Sequence, residues 1–198
     1  SERLEVRIRR IDGGLEFYDR YSHRLLCADA EGMGHRLQER TGDHLVWVLK
    51  QMPEQAHFFG LGDKPCALNL RGRRHEMWGS DAYKFTPESD PLYKSIPFFL
   101  CLNNGAQYGI FFDNTMRCYF DFGKEREDRL LFGADGGIMD YYFIVGEDAL
   151  DTVSTYTKLT GLPPMPPLWS LGYHQSKWSY YPESTVHACL LYTSPSPR

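Results

Sequence analysis

Two stretches of the chain mix polar and aromatic side chains in the way that sugar recognition requires. The first runs from Asn69 to Tyr93 and carries Arg71, Arg73, Arg74, His75, Trp78, Asp81, Tyr83, Phe85 and Asp90. The second is His174-Gln175-Ser176-Lys177-Trp178. Sugars stack their C–H faces on aromatic rings, and their hydroxyls need carboxylates and amides. Taken one at a time, these residues fit plainer roles better. Asp81 after Ser80 suits an Asx turn, and Trp78 and Trp178 suit packing. His174 suits a hydrogen-bonded core histidine on an apolar strand, and His75 a solvated loop face. Other chemistries lack their signatures: H-E-x-x-H, G-x-S-x-G, a Walker loop and an EF-hand loop are all absent. Gly60-Leu61-Gly62 is a lone G-x-G with no helix pattern after it, and Gly136-Gly137 reads as a turn or bulge.

The elements that must position these groups are mostly strands. Leu4, Val6 and Ile8 alternate with charged residues. Asp12-Gly13-Gly14 then turns the chain into Leu15-Glu16-Phe17, which predicts a hairpin. His44 to Lys50 reads as a strand with Leu45, Trp47 and Leu49 on one face. Lys94 to Leu102, the turn Asn103-Asn104-Gly105, and Gln107 to Asp113 follow as two strands, and Met116–Phe122 and Gly137–Val145 add two more. Short strands joined by tight turns predict an antiparallel meander folded into a sandwich. The Asn69–Tyr93 stretch reads as a long, aromatic-rich loop, which in a compact domain is a functional feature.

The pattern changes at Asp148. Leu150, Val153, Tyr156 and Leu159 recur at the spacing of one helical face, Asp148 can cap the start, and Gly161 can end it. Leu162-Pro163-Pro164-Met165-Pro166-Pro167 is a linker by composition, with a domain boundary near residue 163. Beyond it, Leu168 to Gln175 reads as a buried strand.

Charge and composition narrow the class. The chain has 22 Lys and Arg against 26 Asp and Glu, net -4, which excludes a nucleic-acid-binding surface as its main business. No uninterrupted apolar run approaches the roughly 18 residues a spanning helix needs, so no membrane partner is expected. Five cysteines without C-x-x-C spacing point to buried free thiols, which lean toward a reducing, cytoplasmic setting, and no metal or cofactor is expected.

Several segments together resemble glycoside hydrolase family 31, the α-glucosidase and α-xylosidase family. In order they are Phe58-Phe59-Gly60-Leu61-Gly62-Asp63-Lys64, Leu70-Arg71-Gly72-Arg73 through Trp78-Gly79-Ser80-Asp81-Ala82, and Asp90-Pro91-Leu92-Tyr93-Lys94-Ser95-Ile96-Pro97-Phe98-Phe99. Leu159-Thr160-Gly161, Met165-Pro166-Pro167 and Trp169-Ser170-Leu171-Gly172-Tyr173-His174-Gln175-Ser176-Lys177-Trp178 complete the series. The resemblance implies a mainly β chain: a galactose-mutarotase-like antiparallel sandwich over 1–163, ending in a helix at about 148–160. The first strand and the start of the first helix of a truncated (β/α)8 barrel would follow over 164–188.

The family's two catalytic aspartates, set about 5–5.5 Å apart in retaining enzymes, lie on later barrel strands and loops. The resemblance therefore gives this chain no catalytic residue. It does assign Asp81 to sugar hydroxyls at the cleavage subsite and Trp178 to the wall of the same pocket, which reverses the plainer readings of both. The sequence departs from the usual pattern at Asp63, where Glu is common, and at Gly79-Ser80, where Asn-Thr or Asn-Ala is common.

The implied substrate is an oligosaccharide or α-glucoside, cleaved by the parent enzyme and not by this piece. An α-xylosidase, transglycosylase or lyase on the same scaffold, or a non-catalytic carbohydrate-binding subunit, remain the alternatives. Residues 189–198, ending Ser194-Pro195-Ser196-Pro197-Arg198, place two prolines where a barrel helix should continue and are read as a non-native tail.

Overall fold

The apolar–polar alternation is realised as twelve strands in a computed structural model that describes residues 2–39, 42–174, 179 and 181–193, with side chains to 190. In chain order they are β1 (Leu4–Ile8), β2 (Leu15–Asp19), β3 (Leu25–Ala28), β4 (Gly34–Leu37), β5 (His44–Gln51) and β6 (His57–Gly62). Then come β7 (Arg74–Met77), β8 (Ser95–Asn103), β9 (Ala106–Phe112), β10 (Cys118–Phe122), β11 (Arg129–Ala134) and β12 (Tyr141–Ile144). They form a three-stranded sheet β1-β2-β3, a five-stranded sheet β4-β5-β11-β10-β7 and a four-stranded sheet β12-β9-β8-β6. The pairings within them are antiparallel.

Phenylalanines from the two larger sheets meet between them. Phe58, Phe99 and Phe112 of the four-stranded sheet and Phe120, Phe122 and Phe132 of the five-stranded sheet are almost wholly removed from solvent. Their rings meet edge to face, as in Phe99–Phe122 at 5.2 Å and 84° and Phe112–Phe132 at 5.6 Å and 63°. Such pairs contribute about 0.5–1.5 kcal/mol beyond the area they bury. This is the sandwich expected from the sequence.

The connectivity is not the expected meander. The β8–β9 hairpin is as read, with Asn104 and Gly105 both at positive φ (48° and 79°), as a two-residue turn between right-twisted strands requires. After β9, however, the chain leaves the four-stranded sheet for β10 and β11 and returns only at β12. Strands β3, β4, β6, β7 and β11 are additions to the sequence reading. At β4, a Cβ on Gly34 would lie 2.1 Å from the Trp47 ring, so only glycine lets that indole lie across the edge strand.

Three faces differ from expectation. In β1, Val6 and Ile8 are 47% and 69% exposed, so this edge strand is not half-buried on its apolar side. In β5 the core side is Val46, Val48 and Lys50, while Leu45, Trp47 and Leu49 are half-buried. The third is α1 (Ala149–Thr160), whose ends are as read: Asp148 accepts from the Asp151 amide, and Gly161, at φ 106°, donates to the Thr157 carbonyl. Its packed seam is Thr152 and Tyr156, the latter stacked on Phe98 at 4.0 Å, whereas Leu150 is 80% exposed. The buried Thr152 hydroxyl is satisfied locally, accepting from Gly146 N–H and donating to the Asp148 carbonyl, so a polar residue fits the seam.

Cys27, Cys66, Cys101 and Cys118 are free thiols. Cys27, Cys101 and Cys118 are buried, and Cys66 and Cys189 are not. Burial pushes Cys101 and Cys118 up to about 12, which makes them inert packing groups.

Residues 162–198 form a separate unit. Here the expected strand Leu168–Gln175 is corrected: Leu168–Leu171 is one 3-10 turn, closed by Ser170 N–H to the Pro167 carbonyl, and Leu168, Trp169 and Leu171 are exposed. A strand exists only through its neighbours' hydrogen bonds, and among the described residues no strand pairs with this segment. Helix α2 (Glu183–Thr193) follows and runs on through Cys189, five residues past residue 188, where the sequence reading ended it.

Candidate sugar-binding loop

The loop that carries Asp81 is built outward from β7. Among the described residues this short edge strand pairs with β10 alone, and its alternation turns His75 and Met77 inward and Arg74 and Glu76 outward. His75 is thus 5% exposed, correcting the solvated role read from its neighbours.

The returning arm of the loop is tied to β7 through Asp90. One carboxylate oxygen accepts from the Glu76 amide at 2.6 Å, and the other pairs with the Lys64 ammonium, which also donates to the Glu76 carbonyl at 2.8 Å. The Lys64 side chain is almost wholly buried and that of Asp90 is 16% exposed, so this pair is partly shielded from solvent and salt. Burial pushes the Asp90 carboxyl upward, but His75, Lys64 and the Glu76 amide outweigh it and hold its pKa below the ordinary range.

A depressed folded-state pKa contributes stability that is present above the unfolded value and is lost as pH falls through the folded one. Asp90→Asn is therefore expected to lower the melting temperature at pH 7. The gap to the unaltered chain should close below about pH 4, near the unfolded carboxyl pKa. Thermal scans from pH 3 to 8 check this, and a gap that persists in acid would refute it.

Beyond this anchor the loop has its own internal ties. Ser80 N–H donates to the Leu92 carbonyl at 3.2 Å, the Tyr93 hydroxyl to the Ala82 carbonyl at 2.9 Å, and Thr86 N–H to Ser89 Oγ at 2.8 Å. Leu92 is buried at the base. The loop thus presents an exposed tip on a fixed stem. On that tip Trp78, Tyr83 and Phe85 are 49%, 87% and 54% exposed, and Asp81 is exposed beside them. The Asp81 carboxylate makes no hydrogen bond or ion pair among the described residues, so it does not close an Asx turn.

Trp178, with Gln175, Ser176 and Lys177, lies outside the described residues. His174 is not a core residue. It is exposed, and its Nε2 lies 2.6 Å from the Ser170 carbonyl. Among the described residues no three His, Cys, Asp or Glu side chains converge on a metal position, and no helix is long and apolar enough to cross a membrane.

Sequence reading missed Lys64 and the part played by Asp90. The available signal was a lysine in the quoted Phe58–Lys64 motif, followed later by an aspartate ahead of a proline. It missed a second polar cluster as well. Lys50 and Asp29, both fully buried, pair at 2.6 Å inside the sandwich.

Sandwich, anchored loop and ordered motifs together define a class: the chain belongs to glycoside hydrolase family 31. The family profile described as the glycosyl hydrolase 31 N-terminal galactose mutarotase-like domain matches residues 1–121. In particular, the chain is 42% identical over 173 residues to alpha-glucosidase 2 of Bacillus thermoamyloliquefaciens, covering 87% of this chain and 21% of that protein. It is 36% identical over 141 residues to an alpha-glucosidase of Saccharolobus solfataricus, covering 71% and 20%. Among solved structures, the Flavobacterium johnsoniae dextranase complexed with glucose superposes with a TM-score of 0.77 at 39% identity, covering 87% of this chain and 20% of that one. A mutant of the same dextranase has been solved with isomaltotriose. The chain thus spans about a fifth of the length of these relatives.

Proposed function

We propose that this chain is the N-terminal part of a retaining α-glycosidase that releases terminal α-linked glucose from oligosaccharides or glucosides. The sandwich, residues 1–163, serves as the platform from which the Trp78–Tyr93 loop delivers Asp81 to sugar hydroxyls. Residues 164–188 lead into the catalytic barrel, where Trp178 lines the same pocket and the two catalytic aspartates reside. Residues 189–198 are not native to the enzyme. The observation that carries this reading is the free Asp81 carboxylate on a loop whose stem is fixed by Asp90 and Lys64. A carboxylate held ready without an internal partner is suited to accept hydrogen bonds from a ligand. The α-glucosidase relatives support glucose as the sugar released, and the dextranase relative brings dextran into the substrate range.

The test is an assay of the full-length parent protein on the p-nitrophenyl α-glucoside, maltose, isomaltose and the p-nitrophenyl α-xyloside, beside residues 1–198 alone. Glucose release by the parent and none by the 198-residue chain is the expected result. Release of xylose only would move the enzyme to the α-xylosidases. Binding without turnover by the parent would make it a carbohydrate-binding subunit.

A further inference from the structure

Strand β7, the segment before it and the turn after β10 line a cleft of about 460 Å³. That volume lies within the range of small-molecule sites. Two of its walls are fixed by backbone hydrogen bonds. The Arg71–Arg73 segment is pinned to the end of β10, with Gly72 N–H donating to the Phe122 carbonyl at 2.7 Å and Phe122 N–H to the Arg73 carbonyl at 2.8 Å. The turn after β10 is held by the buried Asp121, which accepts from the Lys124 amide at 2.7 Å. His75 also lines the cleft, and Pro87 to Asp90 closes it.

The charges here are mostly positive, and two are unspent. Arg74 is paired with Glu125, and Asp90 with Lys64. Arg71 donates to the Pro53 and Ala56 carbonyls, which leaves its charge uncompensated. Arg73, half-buried, and Lys124 make no side-chain hydrogen bond or ion pair among the described residues. The nearby acids without a cation of their own are the exposed Glu88, Glu127 in the adjoining concavity, and the buried Asp121, whose carboxylate is held by the Lys124 and Glu125 amides. His75 faces Asp90 at the cleft wall, its Nδ1 3.7 Å from Asp90 Oδ1 with no hydrogen bond formed. Its Nε2 faces the Cys66 thiol at 3.9 Å.

We propose that this cleft binds a small oxyanion, gripped by the Arg73 guanidinium and the Lys124 ammonium. The oxyanion is free phosphate or sulfate, or such a group carried as an ester on a saccharide. A guanidinium meets two oxygens of such a group at once, an ammonium supplies a point charge beside it, and both here sit on turns already ordered before binding. A second concavity of about 530 Å³ shares Arg71, Gly72 and Lys124, so there is room beside the anion for a sugar ring. The site is distinct from the Asp81 tip and stands whether or not the parent cleaves glucosides.

The test is a 15N–1H NMR titration of the 198-residue chain at low ionic strength with sodium phosphate and with glucose 6-phosphate, and with sodium chloride as the control. Saturable shifts confined to the amides of Gly72, Arg73, Lys124 and Glu125 are expected. Arg73→Gln and Lys124→Gln should each weaken binding by about fivefold or more, the scale of a partly exposed charged contact. Equal affinity for both probes assigns the site to the free ion, and tighter binding of glucose 6-phosphate assigns it to a phosphosugar. No saturable shift at these amides, or affinity unchanged in both variants, overturns the proposal.

Discussion

Asp29→Ala should destabilise the sandwich by about 3–5 kcal/mol, because it leaves the Lys50 ammonium buried without its counter-charge. Both side chains are fully shielded. Asp29 also accepts from the Leu15 amide at 2.9 Å, so its loss strands a backbone donor as well. Lys50 has other company: it donates to the Tyr141 hydroxyl at 3.3 Å and lies 4.8 Å from the Phe17 ring centre. Burial alone would lower the Lys50 pKa, but Cys27, Tyr141 and Asp29 around it outweigh that and hold it above its ordinary value. Replacing both partners, as Asp29→Leu with Lys50→Met, should recover most of the loss, since a well-packed apolar pair often equals a buried ion pair. Urea unfolding of the single and double variants measures both effects. A single-variant loss under about 1 kcal/mol would show that water already reaches the pair.

The second large effect is functional. In the full-length parent, Asp81→Ala should lower kcat/KM on an α-glucoside by about 10- to 150-fold, the equivalent of losing hydrogen bonds to a charged group worth about 1.5–3 kcal/mol. The melting temperature should hardly move, because Asp81 ties nothing within its own loop. Asp90→Asn offers the contrast, since that residue fixes the stem and should act mainly on stability. A variant in which Asp81→Ala lowers melting and leaves turnover intact would remove Asp81 from the sugar site.

The contrast between those two aspartates shows what the sequence could and could not convey. Strands that close locally were legible, because Asn104-Gly105 and the apolar runs on either side of it name their own partner. The capped ends of α1 were legible for the same reason: capping is written within four residues. Pairings across the sandwich were not. Arg129–Ala134 is central because β5 and β10 flank it, a fact no local period records. Thr152 outranks Leu150 on the inner seam of α1 because its hydroxyl finds two partners there, and hydropathy does not count partners. At the loop, Asp81 was picked out by its motif. His75 and Asp90, two more polar residues in the same stretch, could be told apart from it only once burial was known.

The position of β11 has a consequence for how the protein comes into being. Its neighbour β5 is finished early in translation, yet the register sets Val46 opposite Ala134 and Leu49 opposite Leu131, so β5 must wait for most of the sandwich to leave the ribosome. Until then the nascent chain holds β5 with one side unpaired, and with it Lys50 at the place where β3 bridges to β5 through Asp29. The β8–β9 and β10–β11 hairpins can close at once, since their strands are adjacent in sequence. The order of synthesis and the order of assembly therefore differ, and the interval between them is when a half-built sheet is open to the wrong partner.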